Sequence, residues 1–218
     1  MATLHCFHRR PIILVAILAA FAAAIESQPN TNMVPFSCSS IRTTTCSATL
    51  YHITTAANTT PQQVAADYSV SPSQLKPIAH LDRQDLLVTV PCACQGVNGT
   101  VAYFYDTHYA VKTGDTFANV SAEVYSGQAW PTGDEARRFI AGKSVTMNLL
   151  CGCSAGEDVV TYTVQDGDTL FGVATMLASD VKGIQRLNGK LLGNSSDFID
   201  VGEVLFVPVT INNGTLLG

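Results

Sequence analysis

The sequence predicts an α+β fold: three small βααβ units, the first two degenerate, bundled by disulfides. Three observations predict it. Residues 109–121, YAVKTGDTFANVS, are written again at residues 162–174, YTVQDGDTLFGVA, with Tyr, Val, Gly, Asp, Thr and Val recurring in register. Self-similarity of this kind marks a repeat architecture. A fainter copy precedes the two, and cysteine pairs separate the copies at Cys92 and Cys94 and at Cys151 and Cys153.

Taken in order, the chain opens with a leader. Arg9 and Arg10 precede an apolar run from Pro11 to Ala24, and small residues suited to cleavage follow it, at Ala24 and Ser27. That is the layout of a secretory signal peptide, residues 1–27, and the run is too short for a membrane span. No second long apolar run follows, so no membrane span is expected. The short, polar INNGTLLG tail does not suit a lipid-anchor signal. Residues 28–48 form a cysteine-containing N-terminal segment.

The first unit covers residues 49–91. LYHI opens it as a strand, and Thr60 followed by Pro61 is a good cap and first helical residue, with Val64 and Tyr68 facing inward. Ser71 and Gln74 form a capping-box pattern around Pro72, with Val70 and Leu75 spaced as a hydrophobic staple, which marks a second helical start. LLVTV is the closing strand and ends at PCAC. Residues 92–105 are a connector. In the second unit, residues 106–150, Phe117, Val120 and Val124 line one helical face, and Val145, Met147 and Leu149 alternate in a closing strand. The stretch between them barely accommodates a second helix.

Residues 151–159 form another connector. The last unit, residues 160–209, begins with the strand YTV and the turn QDGD, which Gly167 permits. Asp168 or Thr169 then caps a helix whose Leu170, Val173, Ala174 and Leu177 share one face. Val181, Ile184 and Leu187 keep helical spacing, Asn188 and Gly189 supply a left-handed stop, and EVLFVPV closes the unit. Residues 210–218 are a tail.

Cys6 leaves with the leader, and Cys38, Cys46, Cys92, Cys94, Cys151 and Cys153 remain. An even count in a secreted chain implies a disulfide framework, with fifteen connectivities open. Cys92 and Cys94 flank a single residue, so they are expected to reach different partners from opposite sides of their connector. Thiolates also bind zinc, but the oxidising route and the scattering of His52, His80 and His108 lead us to expect neither metal nor cofactor. Five sequons, at Asn58, Asn98, Asn119, Asn194 and Asn213, suggest a glycosylated surface. A net charge of −5 and the lack of a basic patch exclude nucleic acid as a partner.

Catalysis is not expected. Asp166 and Asp168 stand one residue apart in a tight turn, without the cleft or the desolvation that a glycosidase carboxylate pair needs. No nucleophile elbow, zinc-protease, P-loop or dinucleotide motif occurs. Trp130 reads equally well as a sugar platform or as core filling, while alternation of Tyr103, Tyr105 and Tyr109 predicts at least one buried face.

The YxVxxGDTLxxVA, NG and VGEVLFVPV elements of the last unit resemble a LysM domain. Three such units separated by CxC pairs resemble the extracellular region of plant LysM receptor-like kinases and receptor-like proteins, from roughly Phe36 to Val209. The resemblance implies two helices on one face of a two-stranded antiparallel sheet in each unit. It also implies disulfides Cys38–Cys94, Cys46–Cys153 and Cys92–Cys151. The implied function is secreted or cell-surface recognition of N-acetylglucosamine oligomers such as chitin fragments, in a shallow groove. Asp166, Gly167, Asp168, Thr169 and Leu170 would line one side, with Asn188 and Gly189 at or near the other. Other LysM receptors or co-receptors are the implied protein partners.

Two departures support an alternative, a LysM-shaped adaptor that docks onto other receptors without binding sugar. The middle unit lacks a full second helix and its Asn-centred turn, and the first lacks the Gly-Asp-Thr turn. A receptor kinase would continue beyond the last strand, so the chain reads as a soluble form or as a truncated version of a longer gene product. The last unit follows all the cysteines and is expected to outlast the others on reduction, as an independent module.

Overall fold

The computed structural model describes residues 33–38, 45–55, 59–193, 198–212 and 215–216. The leader and the sequons at Asn58, Asn194 and Asn213 lie outside the described residues. The first strand, β1 (Thr45–His52), is buried throughout its second half, from Ala48 to His52. Thr60 then caps α1 (Pro61–Asp67), its side chain accepting from the Gln63 amide, and Val64 and Tyr68 turn inward.

The expected second helix of this region does not form. The capping box closes, with the Ser71 amide donating to Gln74 Oε1 at 3.0 Å, but only a single 3-10 turn, Pro72–Gln74, follows. Pro77 accounts for this, because a proline drives the residue before it out of helical geometry. The chain instead forms β2 (Leu75–His80), which folds back on the long β3 (Arg83–Val97). That strand runs straight through the PCAC stretch. Asn98 and Gly99, at φ 46° and 75°, make a two-residue hairpin turn into β4 (Thr100–Ala110).

Residues 92–105, expected as a connector, are therefore paired strand. Cys92 and Cys94 do not point to opposite sides: two residues apart on one strand, they lie on the same face, because side-chain direction alternates with period two. Next come α2 (Phe117–Val124), the short α3 (Glu135–Arg138) and β5 (Ser144–Leu150), with Val145, Met147 and Leu149 buried. The last stretch contains β6 (Asp158–Thr163), α4 (Leu170–Met176), α5 (Val181–Leu187), the single turn α6 (Gly189–Leu192) and β7 (Val204–Val209). Asn188 is not a left-handed stop, since its φ is −112° and α6 follows at once. The positive φ falls at Gly193, 55°.

Apart from a small ribbon in which Ile211–Asn212 pairs with Thr215–Leu216, the strands do not form separate two-stranded sheets. They make one sheet in the order β5-β4-β3-β1-β6-β7, with β2 alongside β3. All these pairings are antiparallel except β1 with β6, where Thr49 and Leu50 lie beside Val160 and Thr161. Pairing the free edges satisfies backbone groups that an isolated hairpin would leave exposed. Alternate side chains of β1 serve two cores. Leu50 joins Tyr68, Val88, Tyr109, Val120, Tyr125 and Met147. Tyr51 joins Tyr162, Leu170, Val173, Leu177, Ile184 and Leu205 on the other side.

Disulfides join Cys38 to Cys94, Cys46 to Cys153 and Cys92 to Cys151. The last stretch is consequently no independent module. Its β6 pairs with β1, its core contains Tyr51 and Leu87, and Cys46–Cys153 secures its entrance. With Cys92–Cys151 intact, Cys46–Cys153 closes a path of roughly fifty residues, worth about 4 kcal/mol in the chain-entropy model. Replacing Cys46 and Cys153 together by serine should lower the unfolding free energy by about that amount. Amide exchange should then show β1 and β6 losing protection together, whereas selective loss in β6 would point to an autonomous last stretch.

His52, almost wholly buried, stacks edge-on against Tyr68 and sits 3.3 Å from its hydroxyl. Burial lowers its imidazole from 6.5 to about 4. The unfolded chain then binds the proton more tightly than the folded one. Stability is complete above pH 6.5 and falls as the pH drops towards 4, by up to ~3 kcal/mol. Urea titrations at pH 7 and 4.5 should show this loss shrinking in His52→Gln.

Candidate functional site

The repeated stretch has the same local structure at both places. Tyr109 Oη donates to Asp115 Oδ2 at 2.8 Å, and the Lys112 amide donates to the same oxygen at 2.7 Å. In the second copy, Tyr162 Oη donates to Asp168 Oδ2 at 2.6 Å and the Gln165 amide at 2.7 Å. Gly114 and Gly167, at φ 90° and 82°, make the reversal that other residues resist. Thr116 and Thr169 are the helix caps, accepting from the amides of Asn119 and Gly172. Val111, Val120, Val164 and Val173 are buried.

The second of these turns carries an additional anchor. Asp85 is completely buried on β3 and accepts from Tyr51 Oη and the Thr54 amide, both at 2.8 Å, and from Arg83 Nε at 2.9 Å. The Arg83 guanidinium reaches on to His80 Nδ1 at 2.8 Å and to the side-chain oxygen of Gln165. Gln165 Nε2 donates to Tyr162 Oη at 3.0 Å, and His80 Nε2 lies 3.6 Å from Asp168 Oδ1. The hydrogen bond to Asp85 raises the Arg83 guanidinium further. Burial, then the hydrogen bonds to Asp85 and Asp168, raise the phenols of Tyr51 and Tyr162, keeping both protonated as donors.

Of the residues singled out from the sequence, Asp166, Gly167 and Thr169 are exposed. Asp168 is the acceptor at the centre of the turn, and Leu170 is buried in the core behind it. Asn188 is buried. Its amide donates to the Ile184 and Phe206 carbonyls at 2.7 Å and accepts from the Phe206 amide, clamping α5 to β7. Asn188 and Gly189 border a depression of about 440 Å³ with Val34–Ser37, Leu187 and Phe206, a lining that includes none of residues 166–170. Trp130 packs against Phe104 with a centroid distance of 6.1 Å and is half-buried. Tyr105 and Tyr109 are buried, and Tyr103 half-buried.

Sequence reasoning passed over three large apolar side chains near the turn. Phe171 (74% exposed), Phe198 (83%) and Val201 (61%) project into solvent. Phe171 directly follows Leu170. The segment carrying Phe198 and Val201 is fastened beside the turn, since the Gly202 amide donates to the Val164 carbonyl and the Val164 amide to that of Glu203. Helical spacing does contain the signal for Phe171, which falls off the buried stripe of Leu170, Val173 and Leu177.

Residues 162–208 match the LysM domain family, described as "LysM domain". The chain carries a LysM domain. Relatives from Arabidopsis thaliana include LysM domain receptor-like kinase 3, 29% identical over 121 residues, or 54% of this chain and 18% of that protein. Another is LysM domain-containing GPI-anchored protein 1, 23% identical over 144 residues, covering 60% of this chain and 33% of that one. The chain thus spans a third or less of the length of either relative. Among solved structures, the LYK3 ectodomain superposes with a TM-score of 0.56 at 18% identity, covering 78% of this chain and 93% of that one. The ectodomain of a receptor-like kinase gives 0.54 at 21%, covering 79% and 92%. At these identities the likeness is one of fold.

The LysM turn rests on its tyrosine. Tyr162→Phe removes a donor from the largely buried Asp168 and should cost about 1.5–3 kcal/mol, as hydrogen bonds to charged groups do. Tyr109→Phe should act in the same direction. Urea unfolding of the two single variants and the double variant measures both effects.

Proposed function

We propose that the protein recognises N-acetylglucosamine oligomers of the chitin type outside the cell, without catalysis, through its LysM domain. In this reading, the segments 49–91 and 106–150 are degenerate LysM-type βααβ units that brace the last one. One observation carries the proposal: the rigid turn at 165–169, with Asp166, Gly167 and Thr169 exposed, is flanked by exposed Phe171, Phe198 and Val201 on adjoining segments. Polar backbone beside apolar side chains suits a sugar that offers both acetamido groups and apolar ring faces. Asp166, Gly167 and Thr169 would contact the glycan, while Asp168 and Leu170 hold the turn in shape; Asn188 clamps α5 to β7, and Gly189 borders the separate depression.

The carboxylates favour binding over turnover. Asp168 already accepts from Tyr162 and from the Gln165 amide, so it is occupied as a structural acceptor. A shallow surface gives modest affinity per domain, and engagement of other LysM receptors would add avidity. Disulfides suit the secretory route. On that route Asn98, exposed at its hairpin tip, and Asn119, in the first turn of α2, are the described positions proposed to carry glycan.

Calorimetry of the oxidised, glycosylated chain with chitohexaose is the test. Binding is expected, and Phe198→Ala should weaken it about tenfold through lost apolar contact. No binding to chitohexaose or to peptidoglycan fragments would overturn the reading. Retention of a LysM receptor in sugar-free pull-downs would then favour the adaptor, which the four-residue α3 of the middle segment motivates.

A further inference from the structure

We infer that the β2–β3 hairpin of the first segment is a working part of the LysM recognition surface, so that the site is shared between the two ends of the chain. This inference rests on the glycan reading above and says which further residues serve that site. The turn at 165–169 is held from outside its own domain. Arg83 grips the Gln165 side chain, the His80 ring faces Asp168 at 3.6 Å, and Gln165 Nε2 lies 3.3 Å from His80 Nδ1. The base of this clamp is fixed, because Asp85, buried among Tyr51, Thr54 and Arg83, holds the guanidinium in place.

His80 and Arg83 are the closing pair of the hairpin, so its tip, Leu81 and Asp82, stands beside the LysM turn. Leu81 is 87% exposed and adopts φ 54°, a left-handed conformation that costs a leucine more than it would cost asparagine or glycine. Neither burial nor backbone geometry accounts for leucine at this position. Contact with the apolar face of a sugar does, since the tip stands beside the same turn that exposed Phe171, Phe198 and Val201 flank. A glycan longer than the LysM domain alone would continue over this tip. Arg83 and His80 are then positioning residues, and Leu81 is a contact residue.

Leu81→Asn and Gln165→Ala test this in the full, oxidised chain. Asparagine suits the left-handed conformation, so Leu81→Asn should fold at least as stably as the parent. It should nevertheless bind chitohexaose about fivefold more weakly, the effect of losing ~40 Å² of apolar contact, and should affect chitotriose less. Gln165→Ala removes the bridge without stranding Asp85. It should speed amide exchange at Gly167–Thr169 about tenfold and weaken binding, while exchange in β1 and β3 stays unchanged. Parent-like affinity for chitohexaose in Leu81→Asn, or unchanged exchange at the turn in Gln165→Ala, overturns the shared site and leaves the glycan reading standing. A parent chain that binds no chitin oligomer overturns both.

Discussion

A strand buried on both faces can have no free choice of neighbour, and β1 is in that position. From Ala48 to His52 every residue is buried, so both faces must be covered and both edges paired. β3 takes one edge antiparallel and β6 takes the other in parallel. Leu50 and Tyr51, adjacent in sequence, point into separate cores made respectively with the middle and last segments. The three segments are thereby joined through one sheet. Each alone would bury too little apolar surface to offset its chain entropy.

The same economy of contacts explains why a charged group sits in the interior. An unpaired buried carboxylate would be severely destabilising, yet Asp85 has a phenol, a backbone amide and the Arg83 Nε, shared between its two oxygens, around it. Each partner comes from a place that must be fixed: Tyr51 from β1, Thr54 from the chain leaving β1, Arg83 from the hairpin. The guanidinium has donors left over, and they reach Gln165 and His80. A polar cluster that satisfies one buried charge therefore also aligns a surface turn over eighty residues away in sequence.

Much of this was legible in the residues. The recurring Tyr, Gly, Asp, Thr and valines each have a local structural duty, and local duties leave a pattern within a dozen residues. Helix stripes such as Leu170, Val173 and Leu177 were legible for the same reason. Other features were present but overlooked. Asn98–Gly99 is a sequon and also the strongest short signal for a hairpin, and that hairpin makes sheet of residues expected to form a connector. Pro77 could have cancelled the second helix of the first segment. The contact of Arg83 with Gln165 had no such signature. It depends on where a parallel pairing between distant strands brings two turns, and no periodicity records that.

Conserving Gly-Asp-Thr within the chain is thus weak evidence for ligand contact, and the comparison of its two copies shows why. Both tyrosine-to-aspartate bonds form, yet only the turn at 165–169 is seized from outside by Arg83 and His80. Asp115 accepts from Tyr109 and the Lys112 amide, and its turn lies on the far side of the sheet order, next to β5. The fold needs the motif in both places. What distinguishes the last copy is its setting: a fixed turn, exposed Phe171 and Phe198 on adjoining segments, and a neighbouring hairpin tip. Recognition as proposed for this chain would therefore be a property of how the segments are assembled, with the repeated motif supplying the scaffold on which that assembly acts.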